Sequence, residues 1–155
     1  MNGPDKKFPS YFDNFTLPEG AKEQKISVFR ACKTQKVEKE SFLPTYEENN
    51  FNHCEGNDSS DPGSYSLSTY EKPKDVKRFA ATNRNFNPPF KIAMGFTEPV
   101  CGLCQRTKDR KPKHKSSHVD WWLYENATPH DYFTLIENFT EYYENFKKKG
   151  ENENE

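Results

Sequence analysis

The strongest hydrophobic rhythm lies near the C-terminal end, where Tyr132, Phe133, Ile136, Phe139, Tyr143 and Phe146 recur every three or four residues. That spacing puts their side chains on one face of a helix and predicts an amphipathic helix over 129–149. Thr128 is placed to cap its start, and Pro129 suits the first helical position, where no backbone N–H is needed. Asp131 favours the positive N-terminal end, Lys147 to Lys149 favour the C-terminal carbonyls, and Gly150 is expected to end the helix. Just before it, His118-Val-Asp-Trp-Trp-Leu-Tyr124 reads as a strand. Neighbouring residues of a strand point to opposite faces, so Trp121 beside Trp122 implies cover on both faces and an interior position in a sheet.

The rest of the pattern is sparser. Lys25 to Ala31 reads as a first strand, with Ile26 and Val28 on one face and Ser27 and Phe29 on the other. Arg30 falls on the Ile/Val face, where a guanidinium needs a partner. Glu38 to Glu48 predicts a short helical turn broken before Pro44. Residues 49–64 are rich in Asn, Asp, Ser and Gly and read as a loop. Tyr65 to Tyr70 alternates as a second strand. Pro73 to Ala81 follows as a helix with Val76, Phe79 and Ala80 on one face. Asn83 to Pro89 reads as a turn, Phe90 to Phe96 as a third strand, and 97–117 as a basic loop with a Cys-rich head. The expected organisation is an irregular N-terminal arm over 1–24, one domain over 25–150 and a disordered acidic tail over 151–155. Few strands, long loops and interleaved helices predict an α+β fold with a mainly antiparallel sheet.

Composition narrows this further. Only 32% of the 155 residues are hydrophobic but 15% are aromatic, so one modest core must be built from a few large side chains. A net charge of −1 gives no global pull toward nucleic acid or an anionic membrane. No apolar run is long enough to span a bilayer and no signal-peptide pattern follows Met1, so a cytoplasmic location without membrane contact is expected. In that compartment the four cysteines are expected as thiols or metal ligands rather than disulfides. The dinucleotide-binding, phosphate-loop and nucleophile-elbow glycine motifs are absent.

Two constellations carry candidate chemistry. Cys101, Cys104, His114 and His118 have the spacing C-x2-C-x9-H-x3-H, and two thiolates with two imidazoles suit a tetrahedral zinc ion. The segment they frame, 106–115, is basic, and it is a candidate contact for a protein or nucleic-acid partner. Reduced thiols in a loop and surface histidines are the alternative, and Cys54 with His53, or Cys32, could supply other metal ligands from a distance. His118 and Asp120, two apart on one strand, share a face and could orient an imidazole for proton transfer. Trp121 and Trp122 could stack on a base, or simply fill the core.

The second constellation is Arg30 at a strand end, the Ser66-Leu-Ser68-Thr69 strand and the following helix with Val76-Lys-Arg-Phe-Ala80. This order of parts resembles ADP-ribosyltransferases of the Arg–Ser–Glu type. The resemblance implies that Arg30 holds the phosphates of NAD, that Ser66 or Ser68 braces the site, and that an acidic residue stabilises the ribosyl cation. Glu125 is the candidate for that role, with Asp120 and Glu98 beside it, although the family's acidic motif has no match here. Three readings therefore follow from the sequence: a small interaction module, zinc-stabilised, with a basic contact loop; an NAD-using transferase; or an accessory protein with no site of its own.

Overall fold

The structure is a computed structural model and describes residues 6–52, 58–82 and 90–153. The turn expected over 83–89, and His53 and Cys54 as distant ligands, lie outside the described residues. Six strands form one sheet: β1 (Ser27–Cys32), β2 (Leu67–Tyr70), β3 (Lys91–Phe96), β4 (Gly102–Arg106), β5 (His118–Leu123) and β6 (Phe133–Leu135). Their order across the sheet is β4-β5-β2-β1-β3-β6, and every neighbouring pair is antiparallel. Among the described residues four α-helices accompany them: α1 (Thr45–Glu48), α2 (Pro73–Thr82), α3 (Thr107–Arg110) and α4 (Phe139–Glu153). The α+β class follows directly.

Alternation along each strand divides the core in two. On one face Phe29, Ala31 and Ile92 pack against Val76 and Phe79 of α2 and against Phe139 and Tyr142 of α4. On the other face Val28, Leu67, Cys104, Trp121 and Phe133 gather around Phe42. β5 lies between β4 and β2, and neither Trp121 nor Trp122 retains exposed surface. Burying a ring of that size withdraws roughly 200 Å² from water, about 5 kcal/mol each as an upper bound. The Trp122 indole N–H donates to the Pro62 carbonyl at 2.9 Å, whereas that of Trp121 has no hydrogen-bond partner among the described residues.

The N-terminal arm is docked. Phe15 stacks on Tyr65 with ring centres 4.3 Å apart, and Phe8 meets Tyr124 at 5.0 Å. Lys22 exchanges two backbone hydrogen bonds with Cys104, at 3.1 and 2.8 Å, which covers the outer edge of β4. An uncovered edge would offer its amides to other chains.

Three expected elements differ. The helix expected from Pro129 starts at Phe139; residues 129–132 form a 3-10 turn and 133–135 are the edge strand β6. Phe133 is drawn into the sheet because Gly95 opposite it leaves room for its ring. Thr128 makes no capping bond, and the side chain of Asn138 instead accepts the Glu141 N–H at 3.1 Å. The helix then passes Gly150 and reaches Glu153, inside the expected tail; a glycine interior to a helix costs only about 1 kcal/mol and does not compel a stop. Finally, the expected loop over 97–117 contains β4 and α3. No helix among the described residues is long and apolar enough to cross a membrane.

Candidate functional site

The period of two in β5 puts His118 and Asp120 on the same face as Trp122, with Val119, Trp121 and Leu123 behind them. The antiparallel register sets Ser68 and Gln105 on either side of Asp120, and Tyr70 opposite His118. After β4 the chain folds over this face as α3, whose Thr107 and Arg110 stand three residues apart and so share one side of the turn.

Asp120 is 1% exposed and fully engaged. One carboxylate oxygen accepts from the Ser66 hydroxyl at 2.6 Å; the other accepts from Thr107 at 2.7 Å and from the Arg110 guanidinium at 2.9 Å. The Thr107 hydroxyl also lies 2.5 Å from Nδ1 of His118, and Ser68 Oγ lies 2.9 Å from Nε2. An ionised carboxylate only accepts, so the single Thr107 proton points to Asp120. Thr107 then has only lone pairs for His118, which assigns the imidazole proton to Nδ1. Nε2 is left as the acceptor for the Ser68 hydroxyl.

The charges agree with this assignment. Burial lowers the His118 pKa, against the pull of Asp120, so the ring is neutral near pH 7. Burial alone would raise the Asp120 pKa, but the His118 charge, the Ser66 bond, Arg110 and Thr107 outweigh it and hold the carboxyl low. With His118 neutral at pH 7, the ionised state there rests on Arg110 and the two hydroxyls. Arg110 also donates to Gln105 at 3.0 Å and lies over the Trp122 ring at 5.7 Å.

Beside this network is an open cleft of about 190 Å³ with His118 in its wall. Its cations are Lys72, Lys74, Arg106, Lys108 and Lys115; its carboxylates are Glu71 and Asp75. Both carboxylates are already matched. Glu71 takes a two-pronged pair from Arg106 at 3.0 and 3.1 Å, and Asp75 accepts the Ser117 N–H at 2.8 Å. Ser117 in turn receives the Lys72 N–H at 2.9 Å, which ties the start of α2 to the segment before β5. Lys72, Lys74, Lys108 and Lys115 make no ion pair among the described residues.

The expected zinc ligands do not meet in this structure. Cys101 and Cys104 are each 1% exposed in the core behind Trp121, whereas His118 projects from the opposite face. His114 approaches His118, with ring centres 5.9 Å apart, but bonds to Ser116. Burial raises the Cys101 thiol to about 12 and raises Cys104 as well, which disfavours the thiolate a metal needs. Among the described residues no group of three or more His, Cys, Asp or Glu side chains could hold a metal ion.

Of the residues that resemble a transferase site, Arg30 meets Ser68 only at its backbone carbonyl, and Glu125 lies elsewhere. Arg30 is 6% exposed. It donates to the Ser41 carbonyl and to the Ser68 carbonyl, each at 2.9 Å, and faces Glu48 at 3.5 Å. Ser66 is bound to Asp120 and Ser68 to His118, while Glu125 is exposed beyond the end of β5, its N–H on the Lys7 carbonyl at 2.7 Å. Glu125 lines a small hollow with Pro44 and His130 that includes neither Arg30 nor either serine. Sequence reading paired His118 with Asp120 but missed Thr107, Gln105 and Arg110. The only available signal was the Thr107-x-x-Arg110 spacing, hidden within a run of basic residues. No known family model, curated protein or solved structure matches this chain.

Proposed function

We propose that the protein is a small interaction module that holds an anionic segment of a partner, protein or nucleic acid, in the basic cleft beside His118. The observation that carries this reading is the excess of lysine there: once Arg106 is paired with Glu71, four lysines face a single remaining carboxylate, Asp75, on a chain whose net charge is only −1. A local positive field on a near-neutral protein steers anions to one place. The cleft is smaller than the roughly 300–1,000 Å³ that encloses a drug-sized ligand. It suits a phosphate or carboxylate group of a larger partner. Of the expected basic segment 106–115, Arg106, Lys108 and Lys115 face the cleft, while Arg110 and Lys111 turn to Asp120 and Asp61. Trp121 and Trp122 are buried and offer no platform for bases, so recognition rests on charge.

Fluorescence anisotropy tests this with a labelled single-stranded oligonucleotide in one arm and a labelled acidic peptide in the other. Binding in at least one arm is expected at low salt, weakening steeply as salt rises. The double variant Lys72→Glu, Lys108→Glu should abolish it. Absence of binding in both arms at low salt, or undiminished binding by the double variant, overturns the reading.

A further inference from the structure

The hydrogen-bonded chain through His118 has a direction. It runs from the Ser68 hydroxyl to Nε2, through the ring to Nδ1–H, on to the Thr107 hydroxyl and ends at the Asp120 carboxylate. The inner members are closed off, with Thr107 4% and Asp120 1% exposed. Ser68 and His118, at the outer end, both keep some surface. A hydroxyl at hydrogen-bond distance from a basic imidazole nitrogen, with that imidazole fixed from behind by a third group, is the arrangement that activates an alcohol for attack. Here the third group is Thr107, held by Asp120. The carboxylate is close enough to stabilise an imidazolium directly, with Nδ1 and Asp120 Oδ1 3.9 Å apart. The backbone is equally fixed, because the Ser68 carbonyl accepts from buried Arg30.

We infer that Ser68 is a nucleophile activated by His118, able to accept acyl groups from small activated esters. Ser68 Oγ attacks the acyl carbon as its proton passes to Nε2 of His118. The bond from that carbon to the leaving oxygen breaks, and the leaving oxygen takes the proton from Nε2. Water, deprotonated by the same nitrogen, then attacks the acyl-serine; the carboxylic acid leaves and Ser68 regains its proton. Esters with good leaving groups are the fitting class, because a partly covered hydroxyl admits a small acyl group and such a leaving group departs with little help. This activity shares His118 with the wall of the basic cleft, whereas Ser68 and Thr107 lie outside it, and it does not require the cleft lysines proposed to hold a partner.

The test is covalent labelling with a fluorophosphonate, followed by peptide mass spectrometry. Wild-type protein should carry one adduct, on Ser68, and Ser68→Ala should carry none. Folded His118→Gln should react at least about 100-fold more slowly, the lower end of what a positioned base contributes. If that variant does not fold, the pH profile of the wild type decides: labelling should fall on acidification below pH 6.5, as Nε2 becomes protonated. No adduct on Ser68, an equal rate in folded His118→Gln, or a rate that does not fall on acidification of the folded protein overturns the inference.

Discussion

His118 shows how one titratable side chain becomes a demand on the whole network. Its neutral ring accepts from Ser68 and donates to Thr107, and burial disfavours the charged form. A histidine whose folded pKa lies below its unfolded value of 6.5 binds its proton more readily in the unfolded chain. Stability is therefore full above that value and is lost as pH falls through it toward the lower folded pKa. The thermal midpoint should drop between pH 7 and 5, and His118→Gln should flatten that dependence. Asp120 acts in the same direction only below its ordinary range near 3.8, so it does not contribute in this window. The sequence placed His118 and Asp120 on one face because a period of two requires it. It could not show that Ser66, Ser68 and Thr107 supply the bonds, since those partners come from strands and turns brought alongside by folding.

At the scale of elements, β6 and β4 mark where local pattern and tertiary packing disagree. Phe133 fits a helical stripe with Phe139, yet it also alternates with Leu135, and pairing with β3 decides between the two readings. Gly95 is the permissive residue. A Cβ placed there would stand 2.7 Å from the Phe133 ring and would also press on the Tyr132 carbonyl. Gly95→Ala should therefore destabilise the protein by about 1–3 kcal/mol, the usual cost of forcing atoms into a packed site, read from the urea midpoint. β1, β2, β3, β5 and α2 were legible because apolar spacing is strong there. β4 was not, because it is short, begins at Gly102 and carries Cys104, whose spacing from Cys101 just before the strand also fits a metal site. Gly102 itself lies so close to β5 that an added Cβ would stand 2.9 Å from the Leu123 Cα.

At the scale of the molecule, the sheet consists of two three-stranded ladders, β4-β5-β2 and β1-β3-β6. β1 and β2 pair at a single position, Phe29 with Tyr70. Arg30 adds to this narrow pairing, donating from β1 to the Ser68 carbonyl of β2 and to the Ser41 carbonyl. The sequence marked Arg30 as a buried charge in need of partners, but partners that are backbone carbonyls leave no trace in residue identity. Arg30→Met should cost about 3 kcal/mol in urea unfolding, since it strands two acceptors and removes charge-assisted bonds. Arg30→Lys should not restore the loss, because an ammonium cannot reproduce the fork of Nε and Nη1.

This narrow seam decides how the two halves stay joined. Within each ladder the amides hold strand to strand, but across the middle the backbone pairing is narrow, and the apolar cluster that includes Val28, Leu67 and Trp121 spans it. Oily contact loses strength in the cold far more than backbone pairing does. Chilling should therefore loosen the molecule along its midline first, leaving two half-sheets that are each still internally zipped.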